Sequence, residues 1–191
     1  MPTTQNNTKN VSYGKFKAGA YFFIAPYGTA LPTDNTTELN AAFLNMGFMG
    51  DGGFTFSNSS STNTGYDANG DAIATSAGEI EKTMNCIFRE IKEATMAVVY
   101  GQANATDATG TLTVYDKGPN SEVYSAVIEI LLADGRKDRK VVPQCVPNQL
   151  GDETVNYSEL VGKDVTFSVL LDGTLGAYYV DYIDSTETKA E

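Results

Sequence analysis

Histidine and tryptophan are absent from this chain, cysteine occurs twice, and no apolar run approaches the roughly 20 residues that a membrane-spanning helix requires. Each absence excludes something. Without imidazole there is no Ser-His or Cys-His nucleophile system, and the commonest metal ligand is missing. Carboxylate pairs, lysine and tyrosine remain as catalytic groups, so an enzyme becomes the less favoured class and not an impossible one. Cys86 and Cys145 stand far apart and form no C-x-x-C pair, which fits reduced thiols used as small apolar residues. The opening MPTTQNNTKN lacks a charged-then-apolar signal pattern. The expectation is a protein made and kept in a cytoplasm, and the sequons at Asn58 and Asn156 then read as chance.

Positive charge is also scarce. Thirteen Lys and Arg face 24 Asp and Glu, a formal net charge of −11. The deficit is uneven: the first 33 residues carry Lys9, Lys15 and Lys17 and no acid, whereas Asp34 to Glu81 holds seven acids and no base. Such a surface repels phosphate and disfavours sequence-specific nucleic-acid binding. Solubility is the plain reading of the charge.

What is present is β-rich. The 191 residues suit one domain able to bury its core without disulfide or metal. The pattern predicts a flexible N-terminal arm over 1–16, a single β-rich domain over 17–184 and a flexible tail over 185–191. Ala20 to Ala25 reads as a buried strand stopped by Pro26. A short helix is expected next, with Asn35 as cap, Glu38 three residues on, Leu39, Ala42, Phe43 and Met46 at helical spacing, and Gly47 closing it. Residues 48–56 read as a bent strand interrupted by glycines, 57–65 (SNSSSTNTG) as a flexible loop, and DANGD from Asp67 as a hairpin turn. From Glu79, Ile80, Met84, Cys86 and Phe88 alternate with Glu81, Thr83 and Asn85, the mark of a half-buried strand. A second helix places Ile91, Thr95, Val98 and Val99 on one side and stops at Gly101. After a polar loop over 102–110, strands are expected at 111–115, 122–132, 137–146, 153–157, 163–171 and 175–183. In 122–132 the residues Tyr124, Ala126, Ile128, Ile130 and Leu132 share a face. The fold class is mainly β (α+β): a β-sandwich or barrel-like core with one flanking helix and a second short helix.

Chemistry-bearing patterns are few. Asp67, Asn69 and Asp71 have EF-hand-like spacing, but glycine stands at the fourth position and Gly78 at the twelfth, so a hairpin turn is the better reading. GDGG at 50–53 lacks the lysine and helix of a phosphate loop. The basic cluster at 136–140 reads more simply as a solvated strand end than as a partner for an acidic neighbouring subunit. Tyr178, Tyr179 and Tyr182 fit core and interface packing better than a sugar platform, because neighbouring residues on a strand face opposite ways.

The order of elements says more. GAYFFIAPYGTALPTDNTTELNAAFLNMGFMGDGGFTFSNS, from Gly19 to Ser59, resembles the start of major tail tube proteins of long-tailed, non-contractile (siphovirus-type) bacteriophages. The likeness lies in Ala25-Pro26, Gly28 to Asp34, the Ala42-Phe43 pair and Gly47 to Gly53. It continues with "VVYG" at Val98 to Gly101 and "VVP" at Val141 to Pro143, and spans roughly 18–183. The resemblance implies a structural virion protein, non-enzymatic and without cofactor, that is assembled in the bacterial host cytoplasm. It implies self-assembly into rings, typically hexameric, which stack into a tail tube with an acidic lumen. DNA passes through as non-bound cargo during ejection. Tape-measure and tail-tip or terminator proteins would be its other partners, and no membrane is involved. On that reading Asn58, Ser59, Ser60 and Asn63 belong to a ring-stacking loop. Glu79, Glu81, Thr83 and Asn85 line the lumen, and Lys15, Phe16 and Lys17 make N-terminal arm contacts. A head decoration or tail-completion protein and a carbohydrate-binding β-sandwich module remain alternatives.

Overall fold

The computed structural model describes residues 8–185. Within them lie β1 (Gly14–Phe16), β2 (Phe22–Pro26), β3 (Leu44–Asn45), β4 (Met49–Tyr66), β5 (Ala72–Phe88) and α1 (Glu93–Tyr100). There follow β6 (Ala105–Ala108), β7 (Thr111–Val114), β8 (Tyr124–Leu132), β9 (Lys137–Leu150), β10 (Lys163–Val169) and β11 (Val180–Ile183). The mainly-β expectation holds. Of the expected arm 1–16 and tail 185–191, residues 1–7 and 186–191 lie outside the described residues, and the end of the arm forms β1.

The chain divides into two compact units. The first holds residues up to 47, 123–144 and from 172 onward. Its spine is β8, which pairs antiparallel with β1 (Gly14 opposite Leu132) and with β2 (Phe22 opposite Ile128, Pro26 opposite Tyr124). β11 pairs with the first part of β9, Val180 opposite Val141. Ala25, Phe43, Val127 and Val141 form one core cluster, with Phe23, Leu31, Leu39 and Tyr182 packed against them, and Phe22, Ile24, Met46, Ile128 and Val142 are buried as well.

The sequence pattern predicted one buried face on β8. The structure buries Tyr124 to Glu129 without a break and only half-buries Ile130 to Leu132. The intervening polar residues tolerate this because each is satisfied. Ser125 Oγ donates to the Pro143 carbonyl at 2.8 Å. Glu129 Oε1 receives the Arg139 guanidinium, with Nε at 2.7 Å and Nη2 at 2.6 Å. This also revises the basic cluster at 136–140. Arg139 is a core residue, 5% exposed, Arg136 pairs with Asp134 and Lys140 with Asp181.

The helix expected from Asn35 to Gly47 is not formed. Arg139 Nη1 donates to the carbonyls of Asp34 and Thr37 at 2.8 and 2.7 Å. In a helix the Thr37 carbonyl would accept from residue 41 instead. The Asp34 carboxylate accepts from the N–H groups of Thr36 and Thr37, and Asn40 organises a second turn by accepting from Ala42 N–H and Phe43 N–H. β3 then pairs with β2. Apolar residues at helical spacing are here carried by two successive turns and a strand. β11 is likewise shorter than the 175–183 expected. Asp172 Oδ1 accepts from the N–H groups of Thr174 and Leu175 and folds that stretch into a turn.

The second unit holds 48–122 and 145–171. Its centre is β5, with β4 on one side (Thr55 opposite Asn85) and β10 on the other (Thr166 opposite Asn85). The end of β9 pairs with β10. Met84, Cys86, Phe88, Val165, Phe167, Val169 and Cys145 are buried, and the Phe88 and Phe167 rings meet edge to face at 6.4 Å. Both thiols are free, and burial pushes Cys145 up to about 12, which leaves it inert. The expected helix appears as α1, ended at Gly101, whose φ of 100° suits glycine. Met96 and Ala97 of α1 pack with Ala105 against Leu112 and Val114 of the β6–β7 hairpin.

Three segments of this unit differ from expectation. Residues 57–65 are part of β4, paired with β5 almost to the turn. The β6–β7 hairpin occupies part of the expected loop 102–110. Its Thr109-Gly110 turn has positive φ at both residues, 54° and 81°, a geometry that Asn-Gly signals far more strongly than Thr-Gly. Residues 153–157 form no strand. Asn156 Oδ1 accepts from Ser158 and Glu159 and curls the chain into a turn, leaving Val155 and Tyr157 exposed.

Arg139→Ala strands the Glu129 carboxylate in the core and releases two loop carbonyls. Urea unfolding should show a loss of about 3–5 kcal/mol. The double substitution Arg139→Met, Glu129→Leu should lose markedly less. Equal losses would mean that the ion pair is not what the core depends on.

Candidate functional site

Strand pairing places cross-strand partners on one face of a sheet. In the second unit this builds three polar rows. β4 gives Thr55, Ser57 and Ser59, β5 gives Asn85, Thr83 and Glu81 opposite them, and β10 gives Thr166 and Ser168 opposite Asn85 and Thr83, with Asp164 one step further along. The other face carries the buried Met84, Cys86, Phe88, Val165 and Phe167. The polar face thus has six hydroxyls, one amide and two carboxylates, and no Lys or Arg.

Hydrogen bonds fix part of it. Asn85 Nδ2 donates to Asp164 Oδ1 at 2.7 Å and Thr166 Oγ1 at 3.0 Å, so the amide ties β5 to β10. Glu81 is exposed, Thr83 and Asn85 half-buried. Glu79 continues this side of the hairpin beyond Glu81, at a bulge where Gly78 and Glu79 together oppose Ser61. Its N–H donates to Ser61 Oγ at 2.8 Å. A Cβ on Gly78 would stand 2.2 Å from that oxygen, which explains the glycine.

Beyond the sheet, β4 and β5 continue as a two-stranded ribbon. From Ser57 to Tyr66, about ten residues at about 3.3 Å each, it runs some 33 Å. Asn58, Ser59, Ser60 and Asn63 all lie on it. Ser59 opposes Glu81 on the polar face, while Asn58 Oδ1 accepts from Lys82 Nζ at 2.5 Å on the reverse side. Residues assigned separately to a loop and to a face are therefore neighbours on one hairpin. At the tip Asp67 Oδ1 accepts from Asn69 and Asp71 N–H, both at 2.8 Å. Tyr66, Ile73 and Ile80 are exposed along the ribbon.

Lys15, Phe16 and Lys17 belong to the first unit. β1 pins Lys15 and Phe16 to β8, Phe16 stacks on Tyr21 at 4.9 Å, and Lys17 N–H donates to the Glu129 carbonyl at 3.3 Å. Sequence reasoning missed Thr55, Ser57, Asp164, Thr166 and Ser168. The signal was available as the alternate positions to Val165, Phe167 and Val169, but only the apolar half of that alternation was used.

The site thus consists of a cation-free sheet face continued by an exposed two-stranded ribbon. A family model for phage tail tube proteins matches residues 8–190. The chain belongs to the phage tail tube protein family. A tail tube protein is a structural part of the virion tail and works by associating with copies of itself and with other tail proteins. No curated protein matches this tail tube chain. None of its helices is long and apolar enough to cross a membrane, among the described residues.

The ribbon of this tail tube protein has its own pH limit. Backbone donation from Asp71, then from Asn69, holds the Asp67 carboxyl below its ordinary value of 3.8. A lowered folded pKa means stabilisation that is present above the ordinary value and lost as pH falls through the folded one. Amide exchange at Asn69, Gly70 and Asp71 should accelerate below pH 3.8. Asp67→Ala should show the same acceleration at neutral pH. Slow exchange in that variant would mean that the ladder alone holds the turn.

Proposed function

We propose that this protein forms rings, six subunits to a ring, which stack into the tube through which DNA leaves the virion. The polar face of β4, β5 and β10 lines the lumen, and the ribbon carrying Asn58, Ser59, Ser60 and Asn63 bridges stacked rings. The segment around Lys15, Phe16 and Lys17 contacts a neighbouring subunit. The observation that carries the reading is the absence of any cation among the nine positions of the polar face. A conduit for DNA must not hold it. Each Lys or Arg facing a phosphate adds a counterion-release contact and slows transit, whereas Glu81 and Asp164 repel the backbone and the hydroxyls hold water. The ribbon supports the other half of the reading. An isolated two-stranded hairpin is marginally stable in water, and one with exposed Tyr66, Ile73 and Ile80 gains stability by lying against another surface.

Concentrating the purified chain, alone and on tail-tip nuclei, should give rings or tubes by negative-stain electron microscopy, with rising light scattering. Strictly monomeric protein under both conditions would contradict the proposal. Thr55→Lys with Ser168→Lys adds two cations to the polar face, on strands that do not pair with each other. Particles carrying the pair should build tubes of normal length but release DNA about tenfold more slowly. Unchanged release would remove this face from the lumen.

A further inference from the structure

We propose that a groove on the first unit receives the Val11–Tyr13 segment of a second copy of this chain, an inference that rests on the self-assembly reading above. The groove has a volume of about 390 Å³. Leu31, Pro32, Val141, Pro143, Leu175 and Tyr182 give it an apolar wall. Asp172 is its only charged lining residue. The carboxylate of Asp172 is fully engaged: Oδ1 accepts from Thr174 and Leu175 N–H, and Oδ2 accepts from Gln144 Nε2 at 3.2 Å and Tyr27 OH at 3.5 Å. These bonds hold it below the usual carboxylate range, so the groove keeps a fixed negative charge at its floor.

Besides single residues such as Phe48 and Tyr115 and the ribbon residues Tyr66 and Ile73, which Asp67 and Asp71 flank, two segments present bulky apolar residues to solvent and could fill such a wall. One is the arm, with Val11 77% and Tyr13 87% exposed. The other is the loop of Val155, Tyr157 and Leu160, 75%, 105% and 74% exposed. Charge separates them. The loop is flanked by Asp152, Glu153 and Glu159, which the Asp172 carboxylate repels. The arm carries Lys9, Lys15 and Lys17, with no acid before Asp34. The arm is the complementary occupant.

Topology shows that the occupant comes from another copy. β1 lies antiparallel to β8 with Gly14 opposite Leu132, and Ala133 N–H donates to the Tyr13 carbonyl at 2.8 Å. The arm therefore leaves past the Leu132 end of β8. The groove borders Ser125, seven residues back from Leu132 along the same strand, about 23 Å away at about 3.3 Å per residue. Tyr13 and Val11 therefore lie toward the end of β8 opposite to Ser125. A donor at one end of β8 and an acceptor at the other make a head-to-tail contact, the kind that closes into rings or runs on as a polymer.

Disulfide trapping in the full-length protein tests this. Val11→Cys and Thr174→Cys, each at an exposed position, are made in separate chains, mixed, assembled and oxidised. Cys86 and Cys145 are 1% and 0% exposed and stay out of the reaction. The mixture should give a covalent dimer that neither protein gives alone, and Tyr157→Cys mixed with Thr174→Cys should give none. Val11→Asp with Tyr13→Ser should raise the concentration needed for assembly about tenfold. Assembled particles without the 11–174 cross-link, or with a 157–174 cross-link, overturn the groove assignment and leave self-assembly standing. A cross-link inside a single doubly substituted chain overturns the second-copy origin. Failure of the unsubstituted protein to assemble, even on tail-tip nuclei, overturns both.

Discussion

A guanidinium buried to 5% exposure is tolerable only if every direction around it is answered, and that demand organises the first unit. Arg139 reaches Glu129 on the neighbouring strand and the carbonyls of Asp34 and Thr37 on the preceding loop. The Glu129 carbonyl takes the N–H of Lys17, where the chain leaves β1. Spine, loop and arm thus converge on one ion pair. The loop it holds follows directly on Leu31 and Pro32 of the groove wall, and the arm it anchors presents Val11 and Tyr13. An apolar replacement of the pair can fill the same volume, but it leaves the Asp34 and Thr37 carbonyls without their donor. That is why the pair sets geometry as much as stability.

The second unit is governed by period-two alternation along β5. Between Glu81 and Phe88 one side of the strand must be dry and the other wet, and both neighbours inherit the division because paired residues share a face. Phe167 and Val165 follow Met84 and Cys86 inward, while Ser168 and Thr166 follow Thr83 and Asn85 outward. Beyond the Gly78–Glu79 bulge no core lies beneath the strands, and the same two strands continue as a ribbon with both sides exposed. The candidate face and the ribbon are therefore two lengths of one hairpin, distinguished only by whether a hydrophobic layer supports them.

Much of this was legible in the sequence, and the failures share a cause. The strand at Met84 to Phe88, the helix ended by Gly101, the turn at Asp67 and the Ala133–Gly135 turn rest on local signals: alternation, a positive-φ glycine, an Asx residue. The helix at Asn35 to Gly47 failed because a residue about a hundred positions away, Arg139, claims the Thr37 carbonyl. Residues 57–65 looked like a loop because alternation appears only where one face is buried, and this stretch of β4 buries neither. Val155 and Tyr157 misled in the opposite direction, since an isolated apolar pair mimics a strand where Asn156 in fact makes a turn. At the candidate site Glu81, Thr83 and Asn85 were visible as a row. Their neighbours on β4 and β10 depend on register, which no single strand encodes.

The net charge of −11 bears on how such subunits associate. Copies of a strongly acidic protein repel one another, and at physiological ionic strength that repulsion reaches only about 8 Å before screening. Association must then come from contacts that are dry and close, which favours the exposed Tyr66, Ile73 and Ile80 of the ribbon and the Val11 and Tyr13 of the arm. The acid-free first 33 residues are the part of the chain able to approach an acidic neighbour without penalty. On the proposed reading, acidic charge on the polar face would repel a polyanion moving along it, and the lack of acid in the arm would permit docking. The same imbalance of sign, unevenly distributed, would then answer both requirements: subunits that adhere to each other and a surface that adheres to nothing carried along it.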